Sequence, residues 1–177
     1  VAKTFRAGKN RALISNQMDF CSVSGVLSPV SGRPRETVLG VKRKASGGLD
    51  IKLGGRPLSS VTDLLGIIPV QVLNSDSFQL LSGEPAIRRR YLDWGVFHVE
   101  QEFYGAWRRM QRSLKQRNGA LRSGQAHNTP LAAWDNEFIE AALIVDSARQ
   151  RYFTSFEPIF YDFLTQLLPD SGLIVSY

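Results

Sequence analysis

The chain has 177 residues, 22 Lys and Arg against 16 Asp and Glu, and a formal charge of +6, with 43% of residues hydrophobic. That length allows one sizeable core or two small lobes, and no run reaches the ~20 apolar residues of a membrane-spanning helix. Cys21 is the single cysteine, which excludes an internal disulfide and fits a reducing compartment.

Val1 is followed by no charged region, apolar region or cleavage site of a secretory leader, so a cytoplasmic protein, or an excised part of one, is expected. The charge is unevenly spread. Residues 1–56 hold eleven bases against three acids, and residues 57–83 two acids and no base. Residues 84–123 hold nine bases against four acids, and residues 124–177 two bases against seven. Such segregation suits a face for a polyanion and another for a basic neighbour, or basic and acidic parts that pair within the fold.

Residues 1–14, with Lys3, Arg6, Lys9 and Arg11, read as a loop passing into a short amphipathic turn. Residues 19–27 alternate like a strand with one wet face, and residues 28–34 carry turn chemistry. A second strand over 36–43, a turn at 45–48, a third strand over 49–53 and the Gly54-Gly55 turn predict an antiparallel meander. Ser59 or Ser60 is placed to cap a short helix over 61–65, stopped by Gly66. The apolar run 67–73 predicts a buried strand, and Asn74-Ser75-Asp76 a turn or helix cap.

The pivot is Gly83-Glu84-Pro85. Gly83 ends one element, Pro85 suits the first turn of a helix, and Glu84 favours the positive end of its dipole. Arg89 and Asp93, four apart, are expected to pair along this helix. Arg88, Arg89 and Arg90 outnumber the carboxylates nearby, leaving at least one for a partner or an acidic surface elsewhere. Phe103, Ala106, Trp107, Met110, Leu114 and Leu121 then mark one side of a helix continuing to about residue 122. After a break at 123–130, Trp134, Phe138, Ala141, Val145, Ala148, Tyr152, Phe156, Ile159, Phe163 and Leu167 follow a spacing of three and four. The two helices should form an antiparallel hairpin, the second ~50 Å long with a kink or break at Pro158. Its aromatic residues read as core packing. Residues 173–177 read as a strand returning to the sheet.

No Gly-x-x-x-x-Gly-Lys-Ser/Thr loop and no acidic strand end for magnesium occur in the sequence. His98 and His127 are isolated and read as packed or solvent-facing. Arg108, Arg112, Lys115 and Arg122, with Arg109 beside them, recur at near-helical spacing away from the apolar stripe. That pattern reads either as a row tracking phosphates or as a solvated helix face.

Leu80-Leu81-Ser82-Gly83-Glu84-Pro85 followed by Arg88-Arg89-Arg90-Tyr91-Leu92-Asp93-Trp94 resembles the central motif of the RecF family, bacterial recombination-repair ATPases of the ABC/SMC-like type. Lys3-Thr4-Phe5-Arg6 resembles the segment after that family's nucleotide-binding helix, and Leu114-Lys115-Gln116-Arg117-Asn118 its first arm helix. The order is the family's, and the resemblance covers essentially the whole chain but only the middle of a RecF-like protein.

The resemblance implies an α+β fold: an antiparallel β meander over 1–82 as part of an ABC-type ATPase lobe, a helical arm lobe over 83–170 with a long antiparallel helix hairpin, and a strand over 171–177 returning to the first lobe. For the whole protein it implies ATP and magnesium, and ATP-dependent dimerisation on gapped DNA or at single-strand/double-strand junctions. It also implies cooperation with RecO and RecR in loading RecA during gap repair and the SOS response, away from any membrane. The family's Walker A loop precedes this segment, and its signature and Walker B motifs follow it. The segment alone is therefore expected to bind no cofactor and to be inactive.

The expected DNA-binding residues are Lys3, Arg6, Lys9, Arg11, Arg88, Arg89, Arg90, Arg108, Arg112 and Lys115. Gln71 matches the Q-loop glutamine of such ATPases and reads either as nucleotide-proximal or as a polar residue at a strand edge. Asp76 is the second nucleotide-proximal candidate, although Ser75-Asp76-Ser77 stands where the family often has Pro-Glu-Asp. Two readings of another class stay open: a non-enzymatic basic scaffold that docks an acidic protein, and a structural coiled-coil arm without a ligand.

Overall fold

The computed structural model describes residues 10–28, 35–123, 131–169 and 171–177, and the chain divides into two compact units, Val1–Val72 and Leu73–Tyr177. Together they make an α+β protein, as the sequence implies.

The first unit is a meander of four antiparallel strands in chain order: β1 (Phe20–Leu27), β2 (Thr37–Lys44), β3 (Leu49–Leu53) and β4 (Arg56–Pro57). Between β3 and β4, Gly54 (φ 56°) and Gly55 (φ 80°) are both left-handed, which is what a two-residue hairpin turn of matching twist requires. The register sets Leu39 opposite Leu53 and Val41 opposite Ile51, gathering one apolar face. Helix α1 (Val61–Ile67) covers it with Leu64, 2% exposed, against Leu39 and Ile51. A reciprocal cap starts α1: Asp63 N–H donates to Ser60 Oγ at 3.1 Å, and Ser60 N–H donates to Asp63 Oδ2 at 3.0 Å.

Gly66 does not stop this helix. It lies in the last turn without a left-handed φ, and Ile68 N–H closes the helix on Leu64 O at 3.0 Å. A helical glycine costs only ~1 kcal/mol, less than burying Leu64 contributes. Nor do residues 67–73 form a buried strand. Ile67 ends α1, no strand pairs with 68–73 among the described residues, and Val72 and Leu73 are 42% and 84% exposed. An apolar run becomes a strand only beside an open edge, and Pro69 has no N–H to offer one.

The second unit opens with a 3-10 turn over Ser75–Phe78, capped where Asn74 Oδ1 accepts from Asp76 N–H at 3.1 Å. Helices α2 (Gln79–Ser82), α3 (Pro85–Val99), α4 (Phe103–Arg122) and α5 (Leu131–Leu167) follow. Gly83 N–H returns to Gln79 O at 2.8 Å, and Pro85 takes the first turn of α3. This unit begins at Leu73, and α2 packs against both its capping turn and α3.

Val96, Phe103, Ala106, Val145 and Ala148 form the buried centre where α3, α4 and α5 meet. Asp93 pairs with Arg149 of α5, at 2.7 and 3.0 Å, and not with Arg89. Both side chains are under a fifth exposed (18% and 17%), and a sheltered two-pronged contact outweighs the few tenths of a kcal/mol of an exposed i, i+4 pair. Gly95 permits this approach: a Cβ there would lie 2.2 Å from Tyr152 Oη. Arg117 pairs with Asp135 near one end of the α4–α5 pairing, and Arg151 with Glu100 and Glu102 at the other, so α4 and α5 are antiparallel.

At 37 residues α5 is ~55 Å long, and it runs through Pro158 without a break. The proline removes one backbone bond at an exposed position beyond the buried segment Ala141, Val145 and Ala148, where helix on both sides persists. Residues 171–177 form no strand with the described residues. Val175 N–H donates to Tyr161 Oη at 2.9 Å, and Tyr177 Oη donates to Asp146.

Candidate nucleic-acid interface

Helix α4 sorts its side chains by period. Phe103, Ala106 and Ser113 point inward and are buried, and the Ser113 hydroxyl donates back to Arg109 O and Met110 O at 3.0 and 3.1 Å. Arg108, Arg112, Lys115 and Arg122 follow one another by four, three and seven residues, so they fall on one line, ~21 Å long, on the outward face. All four are exposed, and none has a carboxylate partner among the described residues. Arg109, off that line, turns to Glu137 at 3.4 Å, and Arg117 to Asp135.

The line begins beside an aromatic ring. The Arg108 guanidinium lies 5.8 Å from the centroid of Tyr104, which forms a T-shaped pair with Phe97 at 5.6 Å. A groove of about 560 Å³ opens there, lined by Tyr104, Gly105, Arg108, Arg109 and Arg112, with Ile144 of α5. Glu102 also borders it, with its carboxylate 3.3 Å from Arg151. The hydrogen bond from Arg151 holds the neighbouring Glu100 carboxyl below the usual carboxylate range.

The other expected residues divide. Lys3, Arg6 and Lys9, like His127, lie outside the described residues. Arg11 is exposed and folds back on its own 3-10 turn, donating to Ile14 O at 3.0 Å. Arg88 caps α2, donating to Gly83 O at 2.9 Å and Leu80 O at 3.4 Å. Arg89 and Arg90 are exposed on α3 with no hydrogen bond or ion pair among the described residues. Gln71 is exposed in the unpaired segment of the first unit. Asp76, in the second, accepts from Asn74 Nδ2 at 3.3 Å.

His98 packs against Trp94 and Phe97, and burial pushes its pKa down, leaving a neutral ring. Among the described residues no group of three or more His, Cys, Asp or Glu is placed to hold a metal ion, and no helix is long and apolar enough to cross a membrane. Tyr104 and Gly105 are missing from the sequence-based set, although the i, i+4 spacing of Tyr104 and Arg108 on a helix was there to read.

An antiparallel meander followed by a hairpin of unequal helices places the chain in the α+β class. Within that class it is similar along its whole length to RecF. It is 41% identical over 177 residues to the DNA replication and repair protein RecF of Azotobacter vinelandii. It is 39% identical, again over 177 residues, to that of Pseudomonas syringae pv. syringae. Each alignment takes in 100% of this chain but 48% of the relative, so the chain spans about half the length of the curated relatives it matches.

Two solved structures of the recombination mediator protein RecF in the RecFOR pathway, with ATPrS and with ATP, share the fold. Their TM-scores are 0.78 and 0.77, at 19% and 18% identity. The matches cover 94% and 98% of this chain, and 45% and 49% of those chains. No protein-family model matches the chain.

Proposed function

We propose that this chain supplies DNA-contacting surface to a RecF-like replication and repair protein, with the outward line of α4 lying along a phosphodiester backbone. One observation carries the reading: Arg108, Arg112, Lys115 and Arg122 are aligned, exposed and without carboxylate partners among the described residues, whereas Arg109, Arg117, Arg149 and Arg151 are each paired with an acid. Cations held apart from acids give sequence-independent, salt-sensitive affinity for phosphates. Arg89 and Arg90 are a second set on the same unit.

In the whole protein, the resemblance supports ATP- and magnesium-dependent dimerisation on gapped DNA and help in loading RecA together with RecO and RecR. The nucleotide machinery for this belongs to parts outside these residues, and Gln71 would face nucleotide only when those parts are present. Titrating labelled single-stranded and gapped DNA with the chain between 50 and 200 mM salt tests the reading. A steep linear fall of log K with log salt is expected, while a flat response favours the basic scaffold that docks an acidic protein.

A further inference from the structure

We propose that the groove beside Tyr104 is a nucleobase site for single-stranded DNA: the Tyr104 ring stacks one base, and Arg108 and Arg112 hold the adjoining phosphates. The proposal rests on the DNA reading above and assigns to it a specificity which a line of cations alone does not have. Three observations converge. Tyr104 is half-buried and held by its T-shaped contact with Phe97, so the ring is already placed. The Arg108 guanidinium, 5.8 Å from that ring's centroid, sets a cation for phosphate beside a ring that stacks on bases irrespective of sequence.

Gly105 is the third. It sits within α4 without a left-handed φ, and nothing lies within 4 Å of where its Cβ would be. Packing among the described residues therefore does not call for a glycine, which weakens a helix relative to alanine. The missing side chain leaves the groove open.

The charge favours a nucleotide over an acidic peptide. Arg108, Arg109 and Arg112 border the groove against a single carboxylate, Glu102, itself engaged by Arg151. An acidic peptide needs the cations but has no use for the ring. In a duplex the bases are stacked inward and reach the groove poorly, so the site selects single strands.

Affinities of the full chain for a labelled oligonucleotide, single-stranded and duplex, at one fixed salt concentration test this, with circular dichroism to check folding. Tyr104→Ala should lower single-strand affinity about 5- to 100-fold and leave duplex binding unchanged, and Tyr104→Phe should retain both. Gly105→Leu fills the groove without altering charge and strengthens the helix, and the same selective loss is expected even if Tyr104→Ala misfolds. Arg112→Ala should weaken both forms. If Tyr104→Ala and Gly105→Leu leave single-strand binding intact while Arg112→Ala weakens it, the base site is refuted and the phosphate reading stands. Equal losses on both forms with Gly105→Leu refute it too, as does binding that is insensitive to Tyr104→Ala and displaced equally by poly-glutamate. A wild-type chain that binds neither form removes both readings.

Discussion

The double substitution Arg108→Ala and Arg112→Ala removes half of the four aligned cations of α4 without touching its buried face. If all four meet phosphates of a duplex, the slope of log K against log salt should be near −3.6, because each contact contributes about −0.9. Affinity then falls roughly 150-fold between 50 and 200 mM salt. With two contacts left the slope should be near −1.8, and the same change in salt should cost only about 12-fold. On single strands the corresponding slopes are about −2.8 and −1.4. Both side chains are exposed, so stability should move by no more than about 0.5 kcal/mol, and a urea melt run in parallel separates lost contacts from lost fold. Fluorescence anisotropy at four or five salt concentrations reads the slope. A slope unchanged in the variant, with weaker binding only through altered folding, would refute phosphate contact by α4.

Three further outcomes concern the helical unit. Gly95→Ala should destabilise it by about 1–2 kcal/mol in urea, because the new Cβ meets Tyr152 Oη at 2.2 Å and Cζ at 2.4 Å, and Phe156 stacks on that ring. A gain in stability, as helix propensity alone would give, would contradict this packing. Asp93→Asn should cost roughly 1–3 kcal/mol by leaving the sheltered Arg149 without its charge partner, whereas Arg89→Ala should stay within about 0.5 kcal/mol. Equal effects would restore the i, i+4 pairing. Acid sensitivity provides the last outcome. Arg151 depresses the Glu100 carboxyl in the folded chain, so its stabilisation is complete above the ordinary carboxylate pKa and lost as pH falls through the depressed folded value. Melts of Glu100→Gln should accordingly show a shallower loss below the ordinary carboxylate range, and an unchanged acid limb would exclude that contribution.

What could be read from the sequence was local. Leu49–Leu53 alternates and is followed by two glycines, so strand and turn are written in neighbouring residues. Pro85 announces the start of α3, and the stripe from Trp134 to Leu167 is long enough to declare its period against any tertiary influence. What could not be read depended on distant partners. Asp93 has an arginine four residues away and another 56 residues away, and only packing of α3 on α5 makes the second one closer. The run at 67–73 has strand composition, but strand formation is a property of a pair, and its partner is not among the described residues. Residues 171–177 likewise pair with no strand among the described residues, and Val175 N–H meets the Tyr161 hydroxyl. The groove was hidden differently: Gly105 matters for the volume it leaves empty, which no pattern of apolar or charged residues records.

The segregated charge admitted two explanations, internal pairing or a face for a polyanion, and the helical unit shows internal pairing for part of its arginines. Asp135 and Glu137 at the start of α5 meet Arg117 and Arg109, and Glu100 and Glu102 meet Arg151, so acid-rich and base-rich stretches pair across the hairpin. Exposed pairs of this kind each contribute under about 1 kcal/mol, so the buried Phe103, Ala106 and Ser113 set how α4 is turned and the pairs follow. That orientation decides which arginines remain. With Arg109 and Arg117 turned to α5, the helical period leaves Arg108, Arg112, Lys115 and Arg122 on the outward face, where α5 cannot neutralise them. The spacing of four, three and seven residues then sets these cations in a line, and a line of cations is what a regularly charged backbone can follow.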